Sequence, residues 1–150
     1  MTRLADIRRY PGSRRYPHFA GESLATSLPP LGIDYVHFPD LGGRRSPSKQ
    51  SRNGGWRNDQ FRAYADHMAT EEFRDAVDRL LASASVTAYM CAEAVPWRCH
   101  RNLLSDELVR RGLEVVHILA PGSAQSHTMN PMARIDGDSL TYPPDQGEIW

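Results

Sequence analysis

Apolar and polar positions fall into short blocks along this chain, and the period changes from one block to the next. Leu4-Ala5-Asp6-Ile7 looks like the end of a strand, and Ile33 to Phe38 alternates and runs apolar like a second. Val86 to Met90 reads as a buried strand, and Leu113 to Leu119, with Val115, Val116 and Ile118, as another. Helical spacing fills the intervals. Leu24, Leu28 and Leu31 mark a short helix over 21–31 that Pro29-Pro30 cuts before a third turn. Two more are predicted at Asp59 to Met68 and Thr70 to Ala82, the latter with Phe73, Val77, Leu80 and Leu81 as its buried stripe. After a polar loop, Leu103, Leu104 and Leu108 recur on a helix that Gly112 stops. Met132 to Tyr142 predicts a hairpin turning at Asp136-Gly137-Asp138.

Strands alternating with helices imply parallel βαβ units. The expected fold is therefore a three-layer α/β domain: a mostly parallel, Rossmann-like sheet with helices on both faces and a C-terminal β-hairpin. A length of 150 residues suits one domain, placed at 1–142, with 143–150 a frayed tail. Two stretches are read as loops. Residues 39–57 turn to Gly, Arg, Ser, Pro and Asn, with Trp56 and Phe61 pinning the far end, and residues 121–131 carry His127.

Composition sharpens this picture in one respect. Formal charge is zero, yet residues 1–62 hold eleven basic side chains against five acidic, while 63–150 hold seven against thirteen. Seventeen of the eighteen basic residues are Arg, whose planar guanidinium suits phosphate and carboxylate, although a GC-rich genome also produces such a bias. Two Cys make no disulfide framework, and no apolar run is long enough for a signal peptide or a membrane span. A cytoplasmic protein with no membrane partner is expected.

In parallel sheets the working residues gather at the carboxyl ends of the strands. Here those ends are 6–9, 39–45, 91–101 and 119–123, and three of the four are rich in Arg. Their convergence predicts an anion pocket. Arg8, Arg98 and Arg101 would hold the anion and Asp6 would orient one Arg. Gly42 and Gly43 would let backbone come close to the ligand, and backbone N–H groups of the 92–99 loop would assist. Cations at that helix start oppose its dipole, so a negative partner is expected, either Glu93, Asp6 or the bound anion. Cys91 is the candidate nucleophile or the pocket floor, and His100 the group that could move a proton. Cys99 is expected to face the core.

The residues also resemble a known family. The stretches DIRRYPGSRR, GIDYVHFPDLGG, GGWRNDQFRAYADHM, CAEAVPWRCHRNLLSDELVRRGLEVVHI and ARIDGDSLTYP are similar, along nearly the whole chain, to the bacterial domain-of-unknown-function 488 family. The resemblance implies a cytoplasmic α/β domain without an established activity. It carries over Asp6, Arg8, Pro11, Ser13, Gly42, Gly43, Cys91, Cys99, His100 and Arg101 as positions matching the family pattern. Members of that family usually begin with one more strand and helix before the Asp-Ile-Arg strand, so the resemblance implies that this part is missing here.

Three function classes follow. The first is an enzyme with Cys91 as nucleophile; its layout resembles rhodaneses and cysteine phosphatases, but six residues separate Cys91 from Arg98, which is not their spacing. The second is a non-catalytic nucleotide or nucleic-acid binding module using the basic first half with Tyr10 and Trp56, against which the zero net charge counts. The third, a metal site from Cys91, Cys99, His100 and His127, lacks any recognised ligand spacing, so no metal or other cofactor is expected. His18, His37, His67 and His117 show no partner pattern. Substrate and oligomeric state are not legible.

Overall fold

The computed structural model describes residues 1–46, 48–83, 85–93 and 99–144. Its strands are β1 (Arg3–Asp6), β2 (Asp34–His37), β3 (Thr87–Met90), β4 (Val116–Ala120), β5 (Ser123–Ser126), β6 (Arg134–Asp136) and β7 (Ser139–Thr141). Its helices are α1 (Gly21–Ser27), α2 (Asp59–His67), α3 (Glu71–Leu81) and α4 (Arg101–Arg110). The fold is mixed α/β, and the chain divides into two compact units. One is Met1–Gly42 with Glu72–Ala92; the other is Gly43–Glu71 with Glu93–Trp150.

The first unit is built on a parallel sheet in the order β2-β1-β3. β1 pairs on both edges, with Asp6 opposite His37 on one side and Met90 on the other. A strand with two neighbours has no solvent edge, and Ala5, Asp6 and Ile7 are fully buried. Parallel strands need crossovers, which α1 and α3 supply within their longer connections. Pro29-Pro30 ends α1 early, and a 3-10 turn over Pro29–Leu31 takes its place. On α3 the buried residues are Phe73, Ala76, Val77 and Leu80, spaced i, i+3, i+4, i+7. Leu81, expected in that stripe, is 37% exposed because it lies about 100° further round the helix than Leu80. The end of α3 is tied to the sheet by Arg3, which donates to the Leu80 carbonyl and, through Nε, to Thr87 Oγ1 at 3.0 Å.

The second unit contains α2, α4 and two antiparallel hairpins. α2 starts where sequence predicts it because the Asn58 carboxamide oxygen accepts from the amides of Gln60 (2.9 Å) and Phe61 (3.2 Å). α4 is buried through six consecutive residues, Leu103 to Leu108, so its polar members must find partners inside the protein. Ser105 donates back to the Arg101 carbonyl at 2.7 Å. Glu107 is clamped by Arg110 (2.5 and 2.9 Å) and Arg111 (3.0 Å).

One strand departs from expectation. β4 does not extend a parallel sheet; it pairs antiparallel with β5, inside the segment predicted to be a loop. Pro121-Gly122 makes the turn, with Gly122 at φ +75°, where a side chain would be strained. Ser123-Ala-Gln-Ser126 has no apolar alternation to announce a strand. The β6–β7 hairpin forms as predicted around Gly137.

The 43–57 loop has a fixed anchor. Asn53, 4% exposed, donates to Asp66 Oδ1 at 2.8 Å and accepts from the Tyr142 amide at 2.8 Å. Ser51 also donates to Asp66, at 2.6 Å, and Trp56 packs edge-on against Phe61 and Tyr142 with centroids 5.2 and 5.5 Å away. The expected frayed tail from 145 onward lies outside the described residues.

Candidate functional site

The predicted site residues are shared between the two units. Asp6, Arg8, Gly42 and Cys91 belong to the first; Gly43, Cys99, His100 and Arg101 belong to the second. Arg98 lies outside the described residues.

In the first unit β1 delivers Asp6 and Arg8 to the carboxyl-terminal edge of the sheet. Asp6 has no exposed surface and Arg8 only 8%, so both charges need compensation. They find it in each other. Arg8 donates Nε to Asp6 Oδ1 (2.8 Å) and Nη2 to Oδ2 (2.6 Å), and its backbone amide reaches Oδ1 at 3.1 Å. The Tyr35 hydroxyl donates to Oδ2 at 2.5 Å, and Arg8 Nη2 also donates to the Phe19 carbonyl at 2.8 Å. Burial alone would raise the Asp6 pKa, but the hydrogen bonds from Arg8 and Tyr35 and the Arg8 charge hold it below the ordinary carboxylate value. Burial and the Asp6 carboxylate together push Tyr35 up, so its hydroxyl stays a donor. Among the described residues Nη1 is the part of the Arg8 guanidinium that makes no hydrogen bond.

Gly42 has a tighter reason to be glycine than access for a ligand. A Cβ there would lie 2.5 Å from the Arg9 backbone nitrogen. Cys91 follows Met90, the register partner of Asp6, and is half-buried at the same sheet edge.

In the second unit the sequence Cys99-His100-Arg101 starts α4. Cys99 is 4% exposed; its sulfur accepts the Arg101 amide at 3.3 Å and lies 3.6 Å from His100 Nδ1. The His100 ring stacks at a tilt on Tyr64, centroids 4.9 Å apart. A Cβ on Gly43 would come within 3.1 Å of His100 Nδ1. At the start of α4 Asn102 donates to the Cys99 carbonyl and Leu103 to that of His100, each at 3.0 Å; residues 94–98 of the loop whose amides were expected to assist lie outside the described residues.

One buried polar group of the second unit escaped the sequence reading. Asp106, fully buried on α4, accepts from the Tyr142 hydroxyl (2.7 Å), the Asn130 amide (3.1 Å) and His127 Nε2 (2.6 Å). His127 Nδ1 lies 2.8 Å from His117 Nε2. Burial first, then the nearby His127 and Arg101 charges, depress the His117 pKa, with Asp106 pulling the other way. His127 stood only among metal candidates and His117 without a partner, because their contact depends on the β4–β5 turn. A signal did exist one position along: Glu107 lies four residues from Leu103 and three from Leu104, a charge on the apolar face of α4.

Among the described residues no group of three or more His, Cys, Asp or Glu is placed to hold a metal, and no helix is long and apolar enough to cross a membrane. Comparison with curated proteins and with solved structures gives no match. The model of the family described as Domain of unknown function DUF488 matches residues 1–108, and the chain belongs to that family.

Proposed function

We propose that this protein is a cytoplasmic enzyme on a Rossmann-like, three-layer framework that binds a small phosphate or carboxylate at the carboxyl-terminal edge of its parallel sheet, with Cys91 as nucleophile. The observation that carries this reading is the register of β1 with β3. Asp6 opposite Met90 sends Arg8 and Cys91 off the same edge of one sheet. Arg8 supports it further: a guanidinium already fixed by Asp6 loses little side-chain entropy when it meets an anion. Of the two thiols, Cys91 is the accessible one and Cys99 is buried.

The test is alkylation of each cysteine by iodoacetamide across pH, read by peptide mass spectrometry on the folded chain with and without inorganic phosphate. Cys91 should react below neutrality, before Cys99, and phosphate should slow it. A Cys91 that stays inert until the protein unfolds ends the nucleophile reading. Arg101 and His100 in the second unit keep a separate test: Arg101→Ala should weaken phosphate binding with the fold intact, and unchanged binding ends the reading of Arg101 as an anion holder.

A second reading, nucleotide or nucleic-acid binding, draws on one specific surface. Tyr10, Tyr16 and Phe19 are 60%, 49% and 49% exposed, with Arg9 over the Tyr10 ring and Arg15 over the Tyr16 ring at 5.4 and 5.5 Å. Exposed rings carrying guanidinium groups suit stacking on bases beside phosphates. Binding of a single-stranded oligonucleotide that weakens steeply with salt would favour it over a closed anion pocket.

A further inference from the structure

The polar chain in the second unit has a direction. Asp106 Oδ1 already accepts the Asn130 amide, and an ionised carboxylate only accepts, so His127 Nε2 carries a proton and donates it. In neutral His127 the other nitrogen, Nδ1, is then an acceptor. His117 must therefore donate through Nε2, which leaves its Nδ1 as a lone pair with no hydrogen bond among the described residues. The far end of the chain is fixed as well: Tyr142, held well above its ordinary pKa by burial and by Asp106, stays a donor to the carboxylate. The His127 side chain is 3% exposed and Asp106 fully buried, whereas His117 sits half-buried on β4.

We propose that Asp106, His127 and His117 form a proton relay whose outer member, His117 Nδ1, is the general base of a second catalytic site, hydrolysing carboxylic esters. Two rings and a carboxylate are joined end to end, and the series leads from full burial to a half-buried strand, where the outer ring nitrogen can meet a substrate. In the step, His117 Nδ1 takes a proton from water as the water oxygen bonds to the ester carbonyl carbon. The Nε2 proton of His117 passes to His127 Nδ1, and Asp106 balances the resulting imidazolium. The tetrahedral intermediate carries a single oxyanion, and Arg101, at the start of the same α4 that carries Asp106, is the cation assigned to it. When the C–O bond breaks, the proton returns along the same path to the departing alkoxide, so ester and water become acid and alcohol. An acyl carbon suits this corner because its attack develops one negative charge.

His127, Arg101 and Asp106 are the charged and titratable groups acting on His117; burial first, with the Arg101 charge, holds it below its ordinary value against the pull of Asp106, so its lone pair is available. His127 and Asp106 act through His117 and are positioning residues. This inference uses no residue of the first unit and stands or falls independently of Cys91.

The test combines hydrolysis of p-nitrophenyl acetate by the full chain, followed across pH, with imidazole nitrogen NMR of the same protein. The rate should rise through one midpoint below about 6.5, matching the titration of His117 seen by NMR. His117→Gln should lower the rate roughly a hundredfold, while His18→Gln leaves it unchanged. Asp106→Asn should reduce the plateau and move the midpoint to lower pH, a shift that a merely structural role would not produce. If that buried substitution prevents folding, His117→Gln on β4 decides alone. Hydrolysis by His117→Gln at the wild-type rate, no hydrolysis by the wild type, or a rate midpoint that differs from the His117 midpoint would each overturn the relay.

Discussion

Replacing Asp6 by Asn keeps the shape of the buried cluster and removes only its charge, which makes it the sharpest perturbation available in the first unit. The two Asp6 oxygens take four hydrogen bonds: three from Arg8 and one from Tyr35. An Asn oxygen can keep the pair at Oδ1. Its NH2, however, would face Arg8 Nη2, a donor against a donor, while Tyr35 could turn its hydroxyl to accept. A guanidinium only 8% exposed is then left without its counter-charge. Breaking such a pair costs about 3–5 kcal/mol, which at roughly 2–4 °C per kcal/mol lowers Tm by about 10 °C. The assay is thermal unfolding together with hydrogen exchange at the amides of Ile7 and Phe38, which donate to Met90 and Asp6 across the sheet. Both amides should exchange faster in Asp6→Asn. Acid unfolding supplies the sign. Because the folded Asp6 pKa lies below its unfolded value, its contribution is fully present above about pH 4 and fades as pH falls through the folded value. The variant should lose that acid-dependent part of its stability curve. A cost under about 1 kcal/mol, with unchanged exchange in the sheet, would refute the view that this pair is a buried, mutually dependent unit.

Two further substitutions probe close contacts. Gly42→Ala puts a carbon 2.5 Å from backbone that cannot swing aside; it should destabilise by about 1–3 kcal/mol or more, measured by urea denaturation, and an unchanged midpoint would contradict the contact. Asn53→Ala should cost about 1–3 kcal/mol and make residues 48–56 susceptible to proteolysis, because the Tyr142 amide and Asp66 lose their buried partner together.

Much of the framework was legible because burial imposes a period. β2, β3, α1, α2 and α3 lie within the segments that apolar spacing marked, β1 and α4 overlap theirs, and Pro29-Pro30 and Asn58 act at the boundaries their chemistry dictates. β5 was not legible, since a strand with both faces exposed leaves no apolar pattern. The candidate site was read unevenly for a related reason. Asp6 and Arg8 are two residues apart on one strand, so their pairing is local. Asp106, His117, His127 and Tyr142 meet only after α4 and both hairpins have formed, and sequence spacing carries no trace of such a meeting. Gly42 and Gly43 were marked for the right freedom, but the approaches that require it are to the Arg9 backbone and the His100 ring.

The division into two units also bears on how the molecule can be cut. Each unit is assembled from two separated stretches, and the chain passes from one to the other at 42–43, 71–72 and 92–93. No single excision releases either unit whole. The family match stops at residue 108, two positions beyond Asp106, while the groups that neutralise that carboxylate arrive at 127, 130 and 142. The edge of recognisable ancestry and the edge of the folding unit are different places, and a fragment trimmed to the first would strand a buried charge.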